Sequence, residues 1–193
     1  MSMKNKNNGF YGSCGEFLIA AALCKKMFHV GVLTGNAENI DLVASTRCGA
    51  HSVSIQVKSS HNCSRQKRIN GKKIKGKYWL VGHIPTACSE DFWYAFVDLK
   101  EENATLKDAE IFFVPSKWVA AYTFVMASTP WFFLSDELCS SSACSIDTFA
   151  KYMEGKSECP QVPAQMPWAG ENEGKRTKDV LSAMELWLQS RKV

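Results

Sequence analysis

Between residues 50 and 59 the chain alternates strictly. Val53, Ile55 and Val57 fall on one side and Ser52, Ser54, Gln56 and Lys58 on the other, a period of two that predicts a strand over Ala50–Ser59. Upstream, the run from Cys14 to Phe28 reads as a helix. Ser13 stands at its N-cap with Glu16 three positions on, the spacing of a capping box, and Lys25-Lys26 suit its C-terminal dipole. His29–Thr34 and Ile40–Ser45 read as strands, with turns at Gly35-Asn36 and Cys48-Gly49.

The stretch Ser60–Lys77 has two glycines and no apolar period, which predicts a mobile loop or ribbon. Order returns at Tyr78-Trp79-Leu80-Val81, and FWYAFVDL (Phe92–Leu99) and EIFFV (Glu110–Val114) are strands rich in aromatic and branched residues. Pro115-Ser116 opens a helix over Lys117–Met126. Trp118–Leu134 is the longest apolar stretch, but Ser128, Thr129 and Pro130 break it, and it falls short of the roughly 20 residues a spanning helix needs. A buried helix followed by a turn is the expectation there, with no membrane span.

Farther on, Ile146–Met153 reads as a short helix and Gly155–Gly174 as a linker-like stretch. Val180, Leu181, Met184, Trp187 and Leu188 recur at helical spacing, an amphipathic helix whose apolar stripe would cover the core or a second subunit. The order of elements predicts an α/β sandwich with a mixed central sheet flanked by helices, its core in residues 1–134 and a helical extension in 135–193.

Charge sharpens this picture at one place. Arg65, Lys67, Arg68, Lys72, Lys73, Lys75 and Lys77 concentrate +7 in thirteen acid-free residues; against a total of +4, the rest of the chain is −3. A basic segment on a slightly acidic body suits a polyanion such as nucleic acid, although a solvated loop has the same composition. The eight cysteines show no CxxC pair and are read as reduced thiols of a cytoplasmic protein. His61 with Cys63, or Cys139 with Cys144, is half a zinc site without its other half. The opening MSMKNKNNGF imitates a secretory signal, but Glu16 and Lys25-Lys26 stand where such a signal is apolar or small.

Candidate chemistry lies in the hairpin that reverses at Cys48-Gly49. With a symmetric turn, facing residue numbers add to 97, which sets Asp41 opposite Gln56 at roughly 4.5–5.5 Å between Cβ atoms. Lys58, two positions along, lies roughly 6–7 Å away on the same face. A carboxylate, an amide oxygen and an ammonium would thus converge. Hard oxygen donors suit Mg²⁺, which keeps waters of its own, and the ammonium could offset charge on a phosphate. Glu16 could complete the outer shell if its helix crosses the sheet edge.

The series GxxGE (Gly12–Glu16), AENIDLVAS (Ala37–Ser45) and SIQVKSS (Ser54–Ser60) resembles the PD-(D/E)xK, restriction-endonuclease-like nuclease superfamily, in a QxK variant. FWYAFVDL and IFFVPS are similar to the later strands of an uncharacterised prokaryotic branch of it, so the resemblance spans about Gly12–Met126. It implies a nuclease cutting phosphodiester bonds, chiefly of DNA, with Mg²⁺ or Mn²⁺ and in many members as a homodimer. Restriction, phage defence and repair are roles of that kind. It also implies that Asp41, Gln56 and the Val57 carbonyl hold the metal, with Glu16 beside it, and that Lys58 is the catalytic lysine. Ile40 replaces the motif's proline, and Gln56 replaces its usual acid, removing one negative charge.

Simpler roles compete at each position. Glu16 could only cap its helix, Asp41 only serve a turn, and Gln56 with Lys58 form an exposed polar strand face. A catalytically inactive member acting as a DNA-binding or assembly module is the alternative at the level of function. Asp98 reads as a solvated strand end, and Trp79, Trp93, Trp118 and Trp131 as core or interface aromatics. No GxSxG, Walker loop, HExxH or GxGxxG stands at a strand-to-helix junction.

Overall fold

The computed structural model describes residues 8–33, 39–69, 72–82, 89–101, 104–126 and 129–161. Helix α1 runs Asn8–Lys25 and is followed by strands β1 (His29–Val32), β2 (Leu42–Ser45) and β3 (Ser52–Ser60). Then come β4 (Ser64–Ile69), β5 (Lys72–Leu80), β6 (Phe92–Asp98), β7 (Glu110–Pro115), α2 (Ser116–Tyr122), β8 (Thr123–Met126) and β9 (Thr129–Ser135). Helices α3 (Asp136–Ser140) and α4 (Ile146–Met153) close the described chain.

Two sheets result. A five-stranded mixed sheet has the order β1-β2-β3-β6-β7, with β3 and β6 parallel and its other pairs antiparallel; a four-stranded antiparallel sheet has the order β4-β5-β9-β8. The alternation in β3 sorts its side chains between two cores. Val53, Ile55 and Val57 pack with Ile19 and Leu23 of α1, Trp93 and Val97 of β6, and Phe149 and Met153 of α4. On the opposite face Tyr94 and Phe96 of β6 and Phe112 and Val114 of β7 meet Trp79, Phe132 and Leu134 of the second sheet. Phe96 stacks on Phe132 at 4.5 Å, and Trp79 Nε1 donates to the Val97 carbonyl at 3.0 Å, so the layers are tied by rings and by a hydrogen bond.

Several expectations are corrected here. Helices α1 and α4 pack on one face of the mixed sheet, and the other face carries the second sheet together with α2 and α3. The helix expected over Lys117–Met126 gives way after Tyr122 to the hairpin of β8 and β9, because Phe124, Val125, Trp131, Phe132 and Phe133 are residues that favour a pleated, packed surface. Of the two forms expected for the basic stretch, loop or ribbon, it takes the ribbon, with Arg65 facing Gly76 and Gln66 facing Lys75. Helix α1 begins at Asn8, so Ser13 lies inside it and Glu16 caps nothing. The expected helix over 146–153 is present, its N-terminus capped by Ser145, which accepts from the Thr148 N–H at 3.1 Å. The amphipathic segment at 180–188 lies outside the described residues. No described helix is long and apolar enough to cross a membrane.

Candidate active site

The hairpin of β2 and β3 has the register expected: Leu42 faces Ile55 and Ser45 faces Ser52, each pair adding to 97. Strand β2 starts at Leu42, whereas β3 continues to Ser60 with β6 along one side. Among the described residues no strand pairs with the other side of β3 beyond Ile55, and Asp41 sits at the corner of this notch.

Asp41 does not face Gln56 as a ladder partner. Its N–H donates to the Ile55 carbonyl at 3.0 Å, one residue short of the ladder, so Asp41 and Leu42 both address Ile55 in the manner of a bulge. The Asp41 carboxylate then takes the place of a missing strand: Oδ2 accepts the Val57 N–H at 2.6 Å. In an extended strand a residue's N–H and C=O leave on the same side, so the Val57 carbonyl also opens toward Asp41. The bulge moves the aspartate off Gln56 and onto the edge of β3.

Glu16 reaches this corner because α1 lies almost on the β3 backbone. A Cβ on Gly15 would stand 2.5 Å from the Ser59 Cβ, which only glycine avoids, and Ser59 Oγ donates to the Tyr11 carbonyl at 2.5 Å. Glycine inside a helix costs about 1 kcal/mol relative to alanine, so its presence at 15 marks a close approach. Gly15 and Ser59 are positioning residues that the strand pattern alone did not reveal. The visible signal was the GxxG spacing of α1.

The electrostatics converge on Asp41. Burial, and then the Asp41 charge, push the Glu16 carboxyl above its ordinary range. Burial pushes the Lys58 ammonium below its ordinary range, and the Asp41 charge opposes that shift only in part. Gln56 and Lys58 project from the β3 face opposite α1, in register with Tyr94 and Phe96 of β6. Gln56 is buried and Lys58 half-buried, so they are not an open polar strand face. Glu16, Asp41 and Lys58 are thus linked through one charge, and Gln56 lies between Asp41's two backbone partners along β3.

The groups around Asp41 are hard oxygen, the Asp41 and Glu16 carboxylates and the Val57 carbonyl, while the Gln56 amide is buried on the β3 face away from α1. Among the described residues no group of three or more His, Cys, Asp or Glu could hold a metal ion. The set fits a small divalent cation that retains most of its water, not a zinc cage.

The basic residues divide. Arg65, Lys73 and Lys75 are exposed on the ribbon, and Arg65 Nη1 donates to the Asn62 and Ser64 carbonyls at 2.7 and 2.8 Å. The side chains of Lys67, Arg68 and Lys72 lie outside the described residues. Lys77 departs from the nucleic-acid-binding expectation: it is 6% exposed, with Nζ 2.7 Å from both Asp98 Oδ2 and Glu110 Oε2. Asp98, expected at a solvated strand end, is wholly buried and also accepts the Cys63 and Lys100 N–H groups at 3.3 and 3.1 Å. Lys77 shares a face of β5 with Trp79 and lies where β5 pairs with β9, whereas Lys73 and Lys75, on the same face, lie beyond that pairing on the ribbon.

No family model matches the chain, and no curated protein does. Among solved structures it is similar to that of a bacterial homing endonuclease, at 10% identity and a TM-score of 0.34 over 96% of this chain and 98% of that one. A likeness that loose carries no argument, and the chemistry has to stand on the side chains.

Proposed function

We propose that this chain is a metal-dependent nuclease of the PD-(D/E)xK type, hydrolysing phosphodiester bonds of DNA at the notch beside β3. The observation that carries the reading is that the Asp41 carboxylate accepts the Val57 N–H at 2.6 Å on the edge of β3, where α1 brings Glu16 close and Lys58 follows next along the strand. Burial disfavours the charged forms of both Glu16 and Lys58. Such a cluster is held at a cost in stability and gains its use when a cation and a polyanion enter.

Asp41, the Val57 carbonyl and Gln56 would hold Mg²⁺ or Mn²⁺, with Glu16 on its outer side. When bound, the cation supplies positive charge at the phosphate and eases deprotonation of water. Lys58 stands next along β3 and offers an ammonium to the phosphate oxygens as their charge grows. Burial and the neighbouring Asp41 charge raise the Glu16 carboxyl above its ordinary range, which makes it a stronger proton acceptor than an ordinary glutamate. Arg65, Lys73 and Lys75 would lie along the backbone of the duplex.

Incubation of the protein with plasmid, linear and branched DNA over a Mn²⁺ series, beside Lys58→Ala, tests this. Cleavage that needs the cation and vanishes in the variant is the expected result. Salt-dependent binding without cleavage points to the inactive binding module, a reading that the replacement of an acid by Gln56 favours.

A further inference from the structure

Helix α4 ends in a turn that satisfies all but one of its last four carbonyls. Gly155, at φ +67°, lets the chain fold back: the Gly155 N–H donates to the Tyr152 carbonyl at 2.9 Å, the Lys156 N–H to Lys151 at 2.8 Å and the Glu154 N–H to Ala150 at 3.0 Å. The Met153 carbonyl is left over, and no described main-chain N–H takes it. His51, from the β2–β3 hairpin, supplies the contact, with Nδ1 3.1 Å from that oxygen. Its other ring nitrogen, Nε2, lies 3.0 Å from Asp91 Oδ1. Asp91 stands at the entrance of β6, where its carbonyl accepts the Ser54 N–H at 2.9 Å and its Oδ1 accepts the Tyr152 hydroxyl at 3.1 Å. One ring thus bridges the starts of β3 and β6 to the end of α4.

The proton count decides what this bridge can do. A carbonyl only accepts, and so does an ionised carboxylate. A neutral imidazole has one N–H and serves one of the two oxygens; an imidazolium has two and serves both. The carbonyl end of a helix and a carboxylate each favour a cation as well. Among the described residues the groups that face the ring are Asp91 from the segment leading into β6, Tyr152 from α4, edge-on at 5.1 Å, and Thr46 from its own hairpin, whose Oγ1 accepts the His51 N–H at 3.3 Å. Burial and the bond to Asp91 push the Tyr152 hydroxyl up, so it stays protonated and donates. The carboxylates of Glu90 and Glu154 pair instead with Lys117 and Lys156, and His51 is the one described cation within ion-pair distance of Asp91.

We propose that His51 is a proton-operated latch, fastening the end of α4 to the entrance of β6 while its ring carries both protons and loosening it when one leaves. The latch stabilises this end of the helix below the pH at which the second proton is lost, and the contribution disappears as pH rises through that point. Histidine is the side chain whose charge changes between about pH 5 and 8, so the device works without denaturing acid or alkali. What it holds down is core: Phe149, Tyr152 and Met153 of α4 pack with Val53, Ile55 and Trp93. The proposal is independent of the nuclease reading.

Nitrogen-15 NMR of histidine-labelled protein reads the ring directly. At about pH 5.5 His51 should carry a proton on each nitrogen, and on titration to about pH 8.5 it should lose one. Over the same span the amides of Glu154, Gly155 and Lys156, corrected for intrinsic exchange, should lose about three- to fivefold of their protection from hydrogen exchange. In His51→Gln, whose uncharged amide donates at every pH, that protection should stay flat. In Asp91→Asn a single N–H to Met153 suffices, and the ring should give up its second proton at a lower pH than in wild type. A ring already neutral at about pH 5.5 overturns the inference. So does protection at 154–156 that ignores pH, or that changes equally in His51→Gln.

Discussion

Lys58 and Lys77 leave neighbouring layers of the protein and meet carboxylates in both cases, under opposite conditions. Around Lys77, burial works against the charges, but hydrogen bonds and ion pairs outweigh it. Lys77 is raised, and Asp98 and Glu110 are lowered. Around Lys58, burial wins: Lys58 is lowered and Glu16 raised. The first cluster is a finished clip joining β5 to the ends of β6 and β7. The second is an unfinished one, and charges held without full compensation are what a site for an ionic ligand requires. Identical residue types thus separate into structure and chemistry by how completely their partners satisfy them.

The comparison breaks most easily at the clip. Lys77→Met should destabilise the fold by about 3 kcal/mol, because Asp98 remains buried with only the more distant Lys100 ammonium, at 3.5 Å, to pair its charge, and urea unfolding measures it. Lys77→Met combined with Asp98→Leu should recover a large part of that loss. At the notch the effect moves from stability to rate. Lys58→Ala and Asp41→Ala should each lower DNA cleavage by about 10²–10³-fold, while the unfolding midpoint changes little for Lys58→Ala. Equal losses of stability at the two lysines would erase the distinction.

Acid and alkali sharpen it further. The lowered Asp98 contributes stability that is present above its unfolded pKa, near about 4, and is lost as pH falls through the lower folded value. The raised Lys77 contributes stability present below its unfolded pKa, near about 10.4, and lost as pH rises through the higher folded value. Lys58 runs the other way: its penalty is full below its lowered folded pKa and fades as pH rises toward the unfolded value. Lys58→Met should therefore gain on the order of 0.5 kcal/mol at neutral pH and lose that advantage in alkali, as thermal melts across pH would show. The smallest effect belongs to the ribbon. Lys73→Ala or Lys75→Ala should reduce the slope of log binding against log salt by about 1 and leave the fold unaltered, as fluorescence anisotropy with labelled duplex can measure.

Local pattern carried much of the architecture. The alternation over 52–58 marked β3 and its buried side, the turn at Cys48-Gly49 set the hairpin register, and Ser145 announced α4. Over 118–134 the pattern failed, since a continuous apolar run has no period to separate a buried helix from a buried hairpin. Of the candidate site, Gln56 and Lys58 could be set on one strand face, and Glu16 in a helix. The bulge at Asp41 and the tight seat of Gly15 on Ser59 could not be seen, because each depends on a neighbouring element.

What the amino-acid order determined by itself is which side of its own strand or helix each residue occupies, since that comes from backbone periodicity. Only the tertiary structure decided what lies against that side. Packing turned Lys77 from an expected DNA contact into a buried clip, covered Gln56, and left Asp41 to bond the β3 backbone at Val57. A charge takes its role from the groups that surround it in space, and those groups are far away along the chain.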